Sequence, residues 1–217
     1  MPRYPVPLQE IRQELIISNS RFISTLAPAF SVEDAKAFIS RIKVEFSDAS
    51  HNVPIYIIGH GASEIAHCSD AGEPSGTAGR PALAVLRGSG LGDVAVVVTR
   101  YFGGTKLGTG GLVRAYSQAV RLVVDAVPRA EKVLAHTLIL VFPYTHLERV
   151  RLLVATQNGT VLDEEFTTEV TLTAQLRIEK LTAFQAALSE LTNGKVKAEL
   201  IETKTILMPL FPSPPYK

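Results

Sequence analysis

The chain has 217 residues, of which 46% are apolar, and a formal net charge of +1 at pH 7. This composition predicts a sizeable core in one large domain or two small ones, and the sequence lacks a run of about 18 apolar residues that would suggest a membrane span. A single cysteine excludes an internal disulfide and, with an N-terminus that lacks an apolar signal region, favours a cytoplasmic location.

The first predicted elements are a β-hairpin and a helix. Residues 10–28 read as two apolar strands joined by a short polar turn, which is typical of a hairpin. Ser31 followed by Asp34 predicts a helix N-cap, and the helix should run to about Phe46.

A second hairpin follows. Pro54–Gly59 is a short apolar segment, and Ser63–Cys68 is its expected antiparallel partner. His67 and Cys68 are neighbours on this strand, so their side chains should point to opposite faces and cannot form a catalytic dyad. We expect Cys68 to be a small core thiol.

Two glycine-rich loops flank the apolar run Val94–Thr99, which predicts a buried central strand. The first loop spans Ser69–Gly79 and leads into a helix that ends near Leu86. The second loop spans Tyr101–Gly111 and leads into a helix with one apolar face, formed by Leu112, Tyr116, Ala119, Val120 and Val123.

The second half of the chain predicts a ferredoxin-like module in the order β-α-β-β-α-β. The expected elements are a strand at 132–142, a helix opened by a Thr145–Glu148 capping box, strands at 159–166 and 170–178, a helix at 181–191 stopped by Asn193-Gly194, and a strand at 196–206. Pro128 should end the preceding helix, so we predict two α+β domains, residues 1–130 and 131–217. The proline-rich segment Pro209–Pro215 should be extended.

The second glycine loop is the strongest candidate site. It lacks the Gly-Lys-Ser/Thr of a nucleotide-binding P-loop and the third glycine of a dinucleotide fingerprint. From Arg80 to Arg121 the chain carries six Lys or Arg and one acid, Asp93. We therefore interpret the loop as a backbone phosphate site, with a tight turn that needs glycine as the alternative. The residues expected to bind phosphate or nucleic acid are Arg80, Arg100, Tyr101, Gly103, Gly104, Lys106, Gly108, Gly110, Gly111 and Arg114.

The first loop allows two interpretations. Asp70 and Glu73 could supply metal or acid–base chemistry, or Asp70 could cap a turn while Glu73 pairs with Arg80 or Arg100. The sequence has no cysteine or histidine metal motif, and we expect no metal and no cofactor. Tyr101 and Phe102 could stack bases, or one of them could cover the sheet edge.

The two loop sequences, at 69–81 and 97–116, resemble the signature of the IMPACT/YigZ family. Ser20-Arg21-Phe22-Ile23, His51-Asn52 and Tyr56 also match. Two positions depart from the family pattern: Ala71 replaces an aspartate, and Val53-Pro54 replaces a cysteine followed by an aromatic residue. These departures weaken metal, acid–base or thiol chemistry at those positions.

The resemblance implies an N-terminal α+β domain with the fold of a ribosomal protein's second domain, and a ferredoxin-like C-terminal domain. Together these are similar to domains four and five of elongation factor G. It also implies a link to translation regulation, as in the eukaryotic relatives of the family. Our first hypothesis is a non-enzymatic protein that binds RNA or the ribosome through the two basic loops. The alternative hypotheses are an enzyme that uses Asp70 and Glu73 on a small phosphorylated ligand, and a module that binds a protein partner through its C-terminal domain.

Overall fold

A computed structural model describes residues 4–210, in two compact units: the first comprises residues 4–131 and 209–210, and the second comprises residues 132–208. Both units mix helices with antiparallel sheet, which confirms the α+β class. Beyond residue 210, the predicted extended segment Pro209–Pro215 lies outside the described residues.

The first unit is built on a sheet with the strand order β2-β3-β6-β4-β5. The strands are β2 Ile11–Ile17, β3 Ser20–Pro28, β4 His51–Ile58, β5 Ile65–Cys68 and β6 Val94–Tyr101. A short strand, β1 Pro5–Pro7, pairs instead with residues 129–131. Both predicted hairpins and the buried central strand are confirmed, because β6 is the middle strand of the sheet and is buried along most of its length.

Helices cover both faces of this sheet. Helix α1, Val32–Glu45, packs on one face, and α2, Gly79–Gly88, and α3, Gly108–Ala126, pack on the other. The alternation of β6 separates the two layers: Val94, Val96 and Val98 join the core with α2 and α3, whereas Ala95 and Val97 join the core with α1.

The start of α1 follows the sequence signal. Ser31 is the N-cap, and its hydroxyl accepts a hydrogen bond from the Asp34 N–H at 3.0 Å. The Asp34 carboxylate accepts from the Phe30 N–H at 3.1 Å, which satisfies a second backbone donor at this terminus.

The two glycine loops lie at one edge of the first sheet. Strands β5 and β6 both pair antiparallel with β4, so they run in the same direction. The first loop follows β5 and leads into α2, and the second follows β6 and leads into α3. The N-termini of α2 and α3 therefore face the same edge, where backbone N–H groups are available to anions.

The second unit has the predicted ferredoxin-like topology. Its strand order is β10-β7-β9-β8, with elements β7 Arg129–Phe142, α4 Leu147–Thr156, β8 Thr160–Phe166, β9 Val170–Arg177, α5 Leu181–Thr192 and β10 Ala198–Pro209. Alternate residues of β7 and β9 pack against Val150, Val154, Phe184 and Leu188 of the helices. Asn193 ends α5 in the left-handed conformation, as predicted.

The capping box predicted for α4 is wrong. A short 3-10 turn at Tyr144–His146 precedes the helix, and α4 begins at Leu147 with His146 in the cap position and no side-chain cap. The turn follows Pro143, whose ring fixes the local backbone, and this shifts the helix start past Thr145.

Candidate phosphate-binding site

The first glycine loop, Ser69–Ala78, encloses one of its own carboxylates. Asp70 Oδ2 accepts a hydrogen bond from the Gly76 N–H at 2.8 Å, and Oδ1 accepts from the N–H groups of Ala78 and Gly79 at 3.1 and 2.8 Å. Burial alone would raise the pKa of Asp70, but these three donors and the Arg80 charge outweigh it and hold the pKa below its usual value. The N-terminus of α2 therefore already holds an anion supplied by the chain itself.

Glu73 reaches into the core, where it links the first loop to β6 and α3. Its Oε1 accepts hydrogen bonds from Arg100 Nη1 at 2.6 Å and from the Tyr116 hydroxyl at 2.8 Å, and all three side chains are buried. Burial, and then the Glu73 charge, raise the pKa of Tyr116, so its hydroxyl stays protonated and donates.

Both acids of the first loop are thus held by internal partners. This arrangement corresponds to the structural interpretation, in which Asp70 caps a turn and Glu73 pairs with Arg100. Across residues 4–210, no group of three or more His, Cys, Asp or Glu side chains is placed to hold a metal ion.

Arg100 was predicted to contact phosphate, but its side chain lies in the core. Only 5% of the residue is exposed, and its guanidinium is paired with Glu73 and donates to Ser20 Oγ at 3.3 Å. A strand position fixes which face a side chain takes but not the partner it meets there. Arg100 therefore holds Glu73, and with it the first loop, in place from the core side.

The second glycine loop is shorter than predicted, because α3 already begins at Gly108. Gly108, Gly110 and Gly111 therefore belong to the first helical turn. The cap position is Leu107, which makes no side-chain hydrogen bond, and the first turn contains no acidic residue. Within the described residues, no side chain caps the N-terminus of this 19-residue helix, in contrast to α2.

Two glycines of this loop are required for different reasons. A Cβ at Gly103 would lie 2.0 Å from the backbone carbonyl carbon and oxygen of Asn19, so only glycine permits this contact. The Gly103 N–H donates to Ser20 Oγ at 3.2 Å, which anchors the loop to the β2–β3 turn. Gly104 has a φ of +86° with open space around it, so its requirement is conformational. Ser20 belongs to a segment that resembles the family, but nothing in the sequence indicates its contact with Gly103, which is 83 residues away.

Three of the predicted cations are exposed around this edge. Lys106 lies in the second loop, Arg114 on the second turn of α3 and Arg80 at the start of α2. Arg114 Nε donates to the Gly110 carbonyl at 3.3 Å, and within residues 4–210 neither Lys106 nor Arg80 has a hydrogen-bond or ion-pair partner. Their charges are therefore available to an anion.

Tyr101, the last residue of β6, and Phe102, which follows it, face opposite ways, as predicted. The Tyr101 hydroxyl donates to Asp48 Oδ1 at 2.8 Å, and the Arg21 guanidinium lies 5.8 Å from its ring centre. Phe102 lies on the other face, with its ring 5.6 Å from Arg100 Cζ, and 49% of Phe102 is exposed.

His51, His67 and Cys68 do not form a nucleophilic site. The His67 ring stacks on Tyr56 at 5.3 Å, whereas the half-buried Cys68 packs against the core on the α2 and α3 side, which confirms their opposite orientation. Burial raises the pKa of the Cys68 thiol, so it is a poor nucleophile. His51 Nδ1 lies 2.9 Å from the Ala71 carbonyl, and its Nε2 lies 3.8 Å from Glu73 Oε1.

Sequence reasoning missed a groove between α2 and α3. It has a volume of about 760 Å³, and its lining includes Ala84, Val85, Val113, Ser117 and Arg121. The small residues at Pro81, Ala84 and Gly88 recur at helical spacing, and this pattern could have indicated a helix surface open to close approach.

Comparison with known proteins assigns the family. The Impact N-terminal domain matches residues 18–124, and a domain of unknown function, DUF1949, matches residues 140–195. IMPACT family member YigZ of Escherichia coli (strain K12) is 34% identical over 93% of this chain and 100% of its own length. This chain belongs to the IMPACT family.

Two further relatives extend the comparison. IMPACT family member YvyE of Bacillus subtilis (strain 168) is 36% identical over 84% of this chain and 83% of its own. A crystal structure described as that of a hypothetical protein is 34% identical, covers 93% of this IMPACT-family chain and 98% of its own, and has a TM-score of 0.60. The family resemblance of the sequence is thus confirmed over both units. None of the described helices is long and apolar enough to cross a membrane.

Proposed function

We propose that this IMPACT-family protein binds RNA, alone or in the ribosome, through the second glycine loop and the N-terminus of α3. The observation that carries the proposal is the uncapped first turn of α3. It contains no acid, and it lies beside Lys106 and Arg114. Backbone N–H groups at a helix N-terminus together with exposed cations are a recurrent arrangement for phosphate.

The first loop differs from the second, and this difference supports the assignment. Asp70 places a carboxylate of the chain itself at the N-terminus of α2, whereas within residues 4–210 no side chain caps the N-terminus of α3. Arg80 adds positive charge from the start of α2. We place the protein in the cytoplasm with a role in translation regulation, on the strength of the family resemblance and of its single cysteine.

The enzymatic alternative lacks a comparable observation. It requires Asp70 and Glu73 to act on a ligand, whereas Asp70 accepts three backbone hydrogen bonds and Glu73 is buried against Arg100 and Tyr116. A binding function makes direct use of the groups that the structure leaves exposed.

The test is fluorescence anisotropy of a labelled structured RNA at low and moderate salt. Lys106→Glu/Arg114→Glu should weaken binding by at least tenfold and reduce the slope of log K against log salt by about 1 to 2, because each phosphate contact contributes roughly 0.7 to 0.9. Arg100 is left intact, because its burial would confound folding with binding.

The matched control is Lys36→Glu/Lys43→Glu. It changes the net charge equally but lies on α1, across the sheet from α3. Equal loss of affinity in the two double variants would show a general charge effect and contradict a site at α3.

A further inference from the structure

Phe102 is held in place by its own backbone and by its neighbours. Its N–H donates to Ser50 Oγ at 3.0 Å, and the next residue, Gly103, is anchored by a hydrogen bond to Ser20 Oγ and by its close approach to Asn19. The ring therefore projects from a fixed point of the chain at the start of the second glycine loop, although 49% of Phe102 is exposed to water.

The side of the Phe102 ring that meets the protein has a rigid support. Arg100 Cζ lies 5.6 Å from the Phe102 ring centre and 5.4 Å from that of Phe22. Phe22 is fully buried and packs edge-on against Tyr116, with ring centres 5.3 Å apart. The ion pair with Glu73 fixes the Arg100 guanidinium in the same place.

Covering Arg100 does not by itself require an exposed aromatic ring. The cation–π contact with Arg100 explains an aromatic ring at residue 102 but not its exposure, because Phe22 makes the same contact while fully buried. A flat, half-exposed ring on an anchored backbone, in the same loop as Lys106 and just before α3, is instead the arrangement by which proteins stack unpaired bases while they bind the adjacent phosphates.

We infer that Phe102 is the stacking surface for an unpaired base of the RNA whose phosphate binds at the N-terminus of α3. This inference rests on the proposed function and narrows its ligand to RNA with single-stranded loops, bulges or ends. A base within a continuous duplex has both faces covered by its neighbours, so it cannot use this ring.

The test compares two labelled RNAs, a hairpin with an unpaired loop and a blunt duplex of the same stem sequence. Phe102→Leu should weaken hairpin binding on the order of tenfold, the typical loss for one stacked base, and leave duplex binding and the salt slope unchanged. Phe102→Trp should retain hairpin affinity, because it restores a flat ring. Phe166→Leu is the matched control, since Phe166 is 52% exposed and lies in the second unit.

A second readout can be made on the wild-type protein. A 2-aminopurine placed in the hairpin loop should lose fluorescence when wild-type protein binds, and should keep it with Phe102→Leu at saturating protein. Unchanged fluorescence with wild type at every loop position would overturn the inference, even if Phe102→Leu failed to fold.

The outcomes separate the inference from the proposed function. If Lys106→Glu/Arg114→Glu weakens binding to both RNAs while Phe102→Leu affects neither, phosphate binding stands and base stacking is wrong. If wild type binds neither RNA, both fail. Equal losses for hairpin and duplex in Phe102→Leu would also overturn stacking, because they would show that the loop itself had moved.

Discussion

Helices α2 and α3 begin at the same edge of one sheet after glycine-rich loops, but their N-termini are in opposite states. At α2, Asp70 accepts three backbone hydrogen bonds and acts as a built-in anion. At α3, the cap is Leu107 and the first turn is free of acids. Glycine content alone therefore does not identify an anion site: one carboxylate in the right place decides whether the loop is closed by the chain or open to a ligand.

The largest effect is expected from removing Glu73, which links the first loop to β6 and α3. Glu73→Leu should destabilise the protein by about 3 to 5 kcal/mol, because it leaves the Arg100 charge buried without its partner. Urea unfolding, monitored by circular dichroism, measures the loss.

The double variant Glu73→Leu/Arg100→Met provides the control. Removing both charges should recover much of the lost stability, since an apolar pair avoids the desolvation of an isolated ion. If the double variant is as unstable as the sum of the two single variants, the Glu73–Arg100 ion pair does not hold the first loop to β6.

A smaller effect on stability is expected when the Asp70 carboxylate is removed from the N-terminus of α2. Asp70→Ala should cost about 1 to 3 kcal/mol, because three backbone N–H groups lose their acceptor. Added sulfate should then stabilise the variant more than the wild type, as the ion takes the place of the carboxylate. Thermal melts with sulfate and with chloride at equal ionic strength measure this difference. Equal stabilisation of both proteins by sulfate would show that the loop does not form an anion site without Asp70.

The smallest effect on stability is expected when an acidic residue is added to the first turn of α3. Thr109→Asp places an acid in the first turn of α3 and should stabilise the protein by about 0.3 to 1 kcal/mol at low ionic strength. It should also weaken RNA binding several-fold, since the added carboxylate competes with phosphate. Thr109→Asn keeps the size without the charge, so a similar loss of binding in that variant would point to crowding instead of electrostatics.

The sequence predicted most elements because each has a local signal. Ser31 and Asp34 mark the start of α1, and the strict alternation of β9 marks a strand with one face in the core. The structural role of Asp70 could also be anticipated, because the backbone N–H groups that donate to its carboxylate lie at most nine residues further along the chain.

The features that the sequence did not predict depend on distant partners. Arg100 was expected to contact phosphate, and its pairing with Glu73 stood only as an alternative, because Glu73 is 27 residues away and only the fold brings the two together. The early start of α3 was missed because glycines are compatible with loop and helix alike, and their assignment depends on packing against the sheet.

The contact between Gly103 and Asn19 has a practical consequence for work with this protein. The tip of a surface hairpin is ordinarily a safe position for an inserted tag or fluorophore. Here the β2–β3 turn, in which Ser18 and Asn19 have positive φ, packs directly against the second glycine loop. A label fused there would displace that loop, so probes for imaging or capture belong on the opposite side of the unit, for example on the exposed face of α1.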